Sequence, residues 1–336
     1  MKTLSWRRHH YAAVIGIFSI FLIMVALVAG MVGCFRLVGL FEIWDWYDLD
    51  YIKNNLYGTY LLMNDIDSTT AGYTELASPT ANGGQGWQPI GMKEASFRGL
   101  LNGQGHEIRD LFINRPDQEG VGLFDELGIT GRIMSIGVVK ANVTGFSLVG
   151  GLVGVNWGNV TGCYVTGSVS STGTSRVGGL VGENVFRVNN CYSTASVSGN
   201  EQVGGLVGQN YEGSVSNSYS TASVTGNSSV GGLVGRNRNT VSNSYSTGSV
   251  TGSSRVGGLV GDSDGTVSNS FWDTQTSGQT TSAGGTGENT TQMINIATFS
   301  GAGWNITAVA NLGARNHSCI WNIVTGVTYP FLRWQA

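Results

Sequence analysis

The chain is poor in charge, proline and cysteine. Charged residues make up 12% of its 336 residues, about half of the usual share. The net charge is −3, so the excess of positive charge that binds a phosphate backbone is absent, and we expect no nucleic-acid partner. Only four prolines accompany 52 glycines, and no Gly-X-Y period occurs, which excludes collagen. Apolar residues at 41% argue against disorder.

Catalytic motifs are scarce as well. The segment from His106 to Asp110 begins like a zinc-protease motif, but Asp110 stands where the second histidine should be. Carbohydrate-active β-helix enzymes need two or three carboxylates, or a carboxylate with a basic residue, on one face. The acids of the regular repeats are instead scattered among turns. We therefore predict no enzyme, no catalytic residue, no metal and no cofactor.

What the chain has is a repeat. Gly-Gly-Leu-Val-Gly occurs five times, beginning at Gly150, Gly178, Gly204, Gly231 and Gly257. A nearly constant period of about 27 residues indicates one small unit stacked on itself. Each unit holds three short β-prone pieces separated by Asn, Gly and Ser, which form turns. The pattern predicts an all-β fold, a parallel β-helix (solenoid) of about seven coils of about 26–30 residues with short capping elements.

Stacking assigns structural roles to equivalent positions. The second glycine and the leucine of each motif, together with an asparagine that follows it, are Gly151, Leu152, Gly179, Leu180, Gly205, Leu206, Gly232, Leu233, Gly258, Leu259, Asn184, Asn210 and Asn237. We expect the asparagine amides to bond one another from coil to coil. We expect the leucines and the valines that follow them to lie on opposite sides of one strand. A valine at Gly232 should destabilise the fold by roughly 1–3 kcal/mol.

One more column is aromatic, and its direction stays open. It comprises Tyr164, Tyr192, Tyr219, Tyr245 and Phe271. A bend at the asparagine that precedes each pair would reverse the side-chain alternation. The column therefore points either into the solenoid or out of it.

Residues 1–34 differ in composition from the rest of the chain. Basic residues precede an apolar run from Ala12 to Val32, which is typical of an export signal and long enough to cross a bilayer. Met31 to Cys34 is similar to a bacterial lipobox. Lipid attachment at Cys34, an uncleaved anchor and plain secretion remain open. The first two hold an exported protein at the membrane through its N-terminal segment, with the body outside the cytoplasm.

Cys163 and Cys191 lie one repeat apart, each before a tyrosine. Neighbouring strands are about 4.8 Å apart, which a disulfide tolerates. Either a bridge or two buried thiols in a side-chain stack fits this spacing.

The pattern divides the chain into four segments. Residues 1–34 are the signal peptide or anchor, and 35–57 a linker and N-terminal cap, where Asp48 caps a short helix with Leu49, Ile52 and Leu56 on one face. Residues 58–276 are the β-helix, with regular repeats over 148–276. Residues 277–336 are a loop and an aromatic C-terminal cap.

The repeat resembles the GLUG-repeat family, which is named for a Gly-Leu-apolar-Gly core. The resemblance extends over about residues 43–336, and its motifs are Asn64–Asp67, Gly86–Gly91, Phe97–His106, Phe271–Asp273, Gly284–Gly287 and Trp321–Trp334. It implies a right-handed β-helix on an exported bacterial or archaeal surface protein and implies no common activity. Some members are non-catalytic stalks of secreted peptidases and adhesins.

These observations favour a non-catalytic cell-surface protein whose β-helix is a structural or adhesive scaffold. Its neutral Ser/Thr/Asn surface could hold a glycan or a surface protein. A carbohydrate-active lyase or glycosidase and an inert spacer are the alternatives.

Overall fold

The computed structural model describes residues 40–335, which form an all-β parallel solenoid. Sheet A contains nine short strands: Leu40–Ile43, Thr59–Leu62, Leu100–Asn102, Arg132–Met134, Asn159–Thr161, Arg187–Asn189, Ser214–Ser216, Thr240–Ser242 and Thr266–Ser268. Sheet C contains six: Phe124–Leu127, Val153–Asn156, Val181–Asn184, Val207–Asn210, Val234–Asn237 and Val260–Ser263.

Sheet B is the third and largest side of the solenoid. Its fifteen strands are Glu107–Arg109, Phe112–Val121, Gly137–Gly150, Tyr164–Gly178, Tyr192–Ser193, Ser196–Ser198, Glu201–Gly204, Tyr219–Ser220, Val224–Thr225, Ser228–Gly231, Tyr245–Ser246, Val250–Thr251, Ser254–Gly257, Phe271–Asp273 and Thr286–Glu288. Six coils contribute to all three sheets, so the solenoid has about six turns rather than seven. Partial turns at Thr59–Leu62 and Thr266–Asp273 account for the difference.

The glycine pair of each motif bends the chain between two sheets. Ser228–Gly231 belongs to sheet B and Val234–Asn237 to sheet C. Leu233 and Val234 are both fully buried, so the expectation that they lie on opposite sides of one strand is wrong, because the bend interrupts the alternation. A Cβ on Gly232 would lie 2.2 Å from the carbonyl oxygen of the next coil's Gly258.

An asparagine ladder runs through the buried end of sheet C. Asn156 donates from Nδ2 to Oδ1 of Asn184 at 2.7 Å, Asn184 to Asn210 at 2.8 Å, and Asn210 to Asn237 at 2.8 Å. All four residues are fully buried. The ladder expected from the sequence is present, and it satisfies polar groups that would be costly to bury alone.

A second asparagine column makes the bend between sheets A and B. Asn190, Asn217, Asn243 and Asn269 have φ between 46° and 53°. Asparagine tolerates this left-handed backbone better than most residues. The bend turns the aromatic residue that follows two positions later, Tyr192, Tyr219, Tyr245 or Phe271, away from the solenoid interior.

The cysteines occupy a stack of small side chains. Cys163 and Cys191 are buried free thiols, so the bridge that their spacing allowed is not present. The amide of Cys163 lies 3.5 Å from the Cys191 sulfur, and the Cys191 amide donates to the Ser218 hydroxyl at 3.1 Å. Serine continues the same pattern in the next coils, where the Ser218 amide donates to Ser244. The Cys191 sulfur therefore accepts a backbone N–H as the serine hydroxyls do, and each thiol donates to the carbonyl two residues before it, that of Thr161 or Asn189.

The N-terminal cap differs in detail from its prediction. The helix Trp46–Tyr51 is capped by Asp45, which accepts from the Asp48 amide at 2.9 Å, and not by Asp48. Leu49 and Ile52 are buried beneath it, as expected, and Leu56 is partly buried. The remaining helices are 3-10 segments Ile52–Asn54 and Ala81–Gly84, and α-helices Tyr73–Leu76, Thr274–Ser277, Thr290–Met293 and Ile296–Gly301.

The C-terminal segment does more than close the end. Residues 279–288 cover the last coil, where the Ala283 amide bonds the Val260 carbonyl. The rest carries the strands Ile306–Ala308, Trp321–Ile323 and Phe331–Leu332. It folds back along the side of the solenoid and packs on the aromatic column.

Candidate binding groove

The aromatic column points outward from the solenoid. The rings of Tyr164, Tyr192, Tyr219 and Tyr245 stack at centroid distances of 4.8 to 4.9 Å. Most of the column is then covered by the C-terminal segment: Tyr245 contacts Phe299, Trp304 and Trp321 and donates to the Pro330 carbonyl at 2.6 Å.

The column ends where the repeat becomes irregular. In register with Tyr164, the two preceding coils carry Gly137 and then Glu107. A Cβ on Gly137 would lie 2.4 Å from Cζ of Tyr164. Because Gly137 has no side chain, the Tyr164 ring lies over it, and its hydroxyl donates to the Glu107 carboxylate.

Charged groups extend the site beyond Glu107. Arg109 forms an ion pair with Glu107, and its Nη2 lies 3.5 Å from the Asp65 carboxylate. Asp65 also lies 3.2 Å from Nδ1 of His106. The strand Glu107–Arg109 places its two charged side chains on the same outward face because they are two positions apart.

The C-terminal segment forms another wall of the site, beside the tyrosine column and the charged residues. The ring of Trp334 lies 6.0 Å from Tyr164 and 5.7 Å from Tyr192, centroid to centroid. Gln335 donates from Nε2 to the Tyr219 hydroxyl at 2.6 Å, which fixes this segment on the column. Arg333, which is exposed, lines the same space.

Together these walls enclose a groove of about 960 Å³, the size of a site for a small ligand. Its aromatic lining is Tyr164, Tyr192 and Trp334, and its charged lining includes Glu107 and Arg109. Burial raises the pKa of Tyr192 to about 12. Burial and the hydrogen bond to Glu107 raise the pKa of Tyr164 further. Both phenols therefore remain protonated near neutral pH and act as hydrogen-bond donors.

The residues predicted from the sequence lie elsewhere. The motif glycines and leucines and the ladder asparagines build the solenoid walls and do not line the groove. Cys34 lies outside the described residues. Within residues 40–335, no group of three His, Cys, Asp or Glu side chains could hold a metal ion.

Sequence reasoning missed the groove residues. In the sequence, Glu107 and Arg109 belong to the segment from His106 to Asp110, which resembles an incomplete zinc-protease motif and indicates no groove. A usable signal existed, since the position equivalent to Tyr164 in the preceding coil is Gly137 and not an aromatic residue. Nothing in the local sequence indicates that Trp334, which lies at the far end of the chain, contacts Tyr164.

Comparison with known protein families identifies the repeats and their positions in the chain. The model of the GLUG motif matches residues 147–170, 173–198, 199–225 and 226–251. The chain contains four GLUG repeats. The matches cover just under a third of its length, and the flanking segments that resembled the family lie outside them.

Two relatives share part of the GLUG-repeat chain. A protein provisionally named Gly-rich membrane protein from Evansella cellulosilytica is 36% identical over 115 residues, which is 33% of this chain and 12% of the relative. Halomucin from Haloquadratum walsbyi is 36% identical over 113 residues, 34% of this chain and 1% of halomucin. The chain thus spans only a small fraction of either relative. The name of the first relative describes that relative as a membrane protein.

A solved structure shares the fold of the GLUG-repeat chain. The crystal structure of a protein from Bacteroides ovatus, provisionally named an immunoglobulin A1 protease, aligns with a TM-score of 0.63 and 20% identity. The alignment covers 88% of this chain and 92% of that one. At this identity the likeness supports the solenoid fold alone.

Among residues 40–335, no helix combines the length and the apolar character that crossing a bilayer requires.

Proposed function

We propose that this protein is a non-catalytic cell-surface scaffold that binds a glycan in the groove between Glu107, Tyr164 and Trp334. The observation that supports this proposal most is the convergence of aromatic rings, a carboxylate and a guanidinium at one break in the repeat. Aromatic side chains with polar tips suit ligands that present both apolar and hydroxyl-bearing faces.

The surrounding coils supply a rigid support for that site. The ladder from Asn156 to Asn237 and the stacked tyrosines tie consecutive coils together by side chains as well as by backbone hydrogen bonds. A site on such a frame loses little conformational freedom when a ligand binds.

The mode of attachment forms part of the proposal. We propose a right-handed solenoid held outside the cytoplasm by the N-terminal segment, through a hydrophobic helix or a lipid on Cys34. The relative named as a membrane protein supports this placement. Mass spectrometry of the N-terminus from isolated membranes distinguishes the forms: a lipid on Cys34, an intact residue 1, or an unmodified cleaved end, of which the last contradicts membrane anchoring.

A glycan array tests ligand binding. The full chain should retain a subset of glycans, and Trp334→Ala should lose them because one wall of the groove is removed. Trp157→Ala is the matched control, since Trp157 is 40% exposed at the corner between sheets C and A, outside the groove. A silent array with the wild-type chain would favour an inert spacer.

A carbohydrate-active enzyme is the second candidate, because Glu107, Arg109 and Tyr164 converge. Glycoside hydrolysis uses two carboxylates flanking the scissile bond, and Glu107 is the one carboxylate among the groove-lining residues described. The raised pKa of Tyr164 also disfavours its action as a base. Release of reducing ends from a bound polysaccharide, abolished by Glu107→Gln, would overturn the non-catalytic proposal.

A further inference from the structure

We propose that the groove recognises a saccharide that carries a carboxylate, and that Arg333 binds this group. The inference rests on the proposed function and specifies its ligand. It follows from the charge balance of the groove and from the absence of a strand edge there.

The two arginines of the groove differ in their partners. Arg109 is engaged by the carboxylates of Glu107 and Asp65. Arg333 donates from Nη1 to the His317 carbonyl at 2.7 Å, and no carboxylate in residues 40–335 lies within ion-pair distance of it. Its guanidinium thus keeps donors for a ligand, in the planar arrangement that matches a carboxylate.

The position of Arg333 is held by its neighbours. Leu332 donates its amide to Oε1 of Gln335 at 2.6 Å, and Arg315 donates to the Gln335 carbonyl at 2.7 Å. Arg333 therefore stands beside Trp334, whose ring already lies against Tyr164 and Tyr192. A sugar ring placed on this aromatic wall would bring an attached carboxylate toward the guanidinium.

An acidic peptide fits the groove less well. The strand Gly137–Gly150 in its floor is paired on both sides, with Glu107–Arg109 and with Tyr164–Gly178. No free strand edge is available there for a peptide backbone, which is how extended peptides usually add to a sheet. A saccharide needs only side-chain contacts, which the groove provides.

The experiment compares two forms of one probe by calorimetry with the full chain. Trigalacturonic acid carries three carboxylates, and its methyl ester has the same rings without charge. We expect the acid to bind about 10- to 100-fold more tightly, the ratio expected of a charged hydrogen bond. Arg333→Gln should reduce this ratio to near one. Arg238→Gln, an exposed arginine that lies over Tyr211 at 5.3 Å, should leave it unchanged.

Every other outcome contradicts either this inference or the proposed function. Equal binding of acid and ester would overturn carboxylate recognition and leave the binding scaffold intact. Binding of hexaglutamate as tight as that of the acid, and equally sensitive to Arg333→Gln, would overturn the choice of a saccharide. If neither probe binds while the glycan array gives ligands, this inference fails alone. If the array is silent as well, the proposed function fails with it.

Discussion

The regular coils and the first coils of the solenoid share one architecture but differ in what they form: the regular coils form the structural frame, and the first coils form part of the groove. From about residue 147 onward, each coil repeats the same small side chains at the same positions, and this part forms a uniform rod. In the preceding coils Gly137 and Glu107 stand at the positions equivalent to Tyr164, and charged and aromatic side chains line one groove there. Regularity supplies the frame, and departures from it supply the chemistry.

Asp125 illustrates the same contrast at one position. It stands in register with Gly154, the last glycine of a regular motif. In the regular coils this glycine packs against the backbone of a residue of the preceding coil that has a positive φ. Gly208, for example, packs against Arg176, whose φ is 56°. In the first coil the left-handed residue is Gly120, on which a Cβ would lie 1.9 Å from the Asp125 carboxylate. A glycine at this left-handed position therefore leaves room for the Asp125 carboxylate.

The ladder should give the largest effect in the regular part. Asn210→Ala removes the bonds to Asn184 and Asn237 and leaves buried polar atoms without partners, so we expect a loss of about 3–5 kcal/mol in the free energy of unfolding. The urea midpoint measures it. Asn243→Gly is the control, because glycine adopts the left-handed backbone at φ 47° without strain. A loss below about 1 kcal/mol is expected there, and equal losses in the two variants would contradict the different roles of the two asparagine columns.

The glycine pair should give the next effect. Gly232→Val places a branched side chain against the Gly258 carbonyl and the Ser246 hydroxyl. We expect a loss of about 2–3 kcal/mol from overpacking, measured as a fall in the thermal midpoint. Gly301→Ala should change it little, since nothing lies within 4 Å of a Cβ there. An unchanged midpoint for Gly232→Val would contradict the close approach of the coils.

The irregular coil should differ in its pH dependence. Burial, followed by the charge of Glu126, raises the pKa of Asp125 from 3.8 to about 7. The folded state therefore binds more protons than the unfolded state between about pH 4 and 7, and the contribution of Asp125 to stability falls as pH rises through this window. Asp125→Asn should stabilise the protein at pH 8 by about 1–2 kcal/mol, after allowance for partial exposure, and should make little difference at pH 4. Urea midpoints at both pH values test this, and an equal gain at the two would refute it.

The sequence predicted the frame better than the groove. A nearly constant period fixes which residues stack, because parallel pairing places equivalent positions side by side, as Val207 and Val234 show. It did not indicate the bend at Gly232, since glycine there serves a close approach without a positive φ. The groove depends on Trp334 returning to Tyr164, a contact that no local pattern encodes.

That returning tail also limits how the molecule can change in length. Solenoids usually tolerate the gain or loss of whole units, since each unit contacts only its neighbours. Here Trp304 donates to the Asn269 carbonyl near the last coil, while Trp334 contacts Tyr164 near the beginning of the aromatic column. One inserted unit between them would shift Trp334 by about 4.8 Å relative to Tyr164. The unit count between Tyr164 and Asn269 is therefore set by the span of the C-terminal segment.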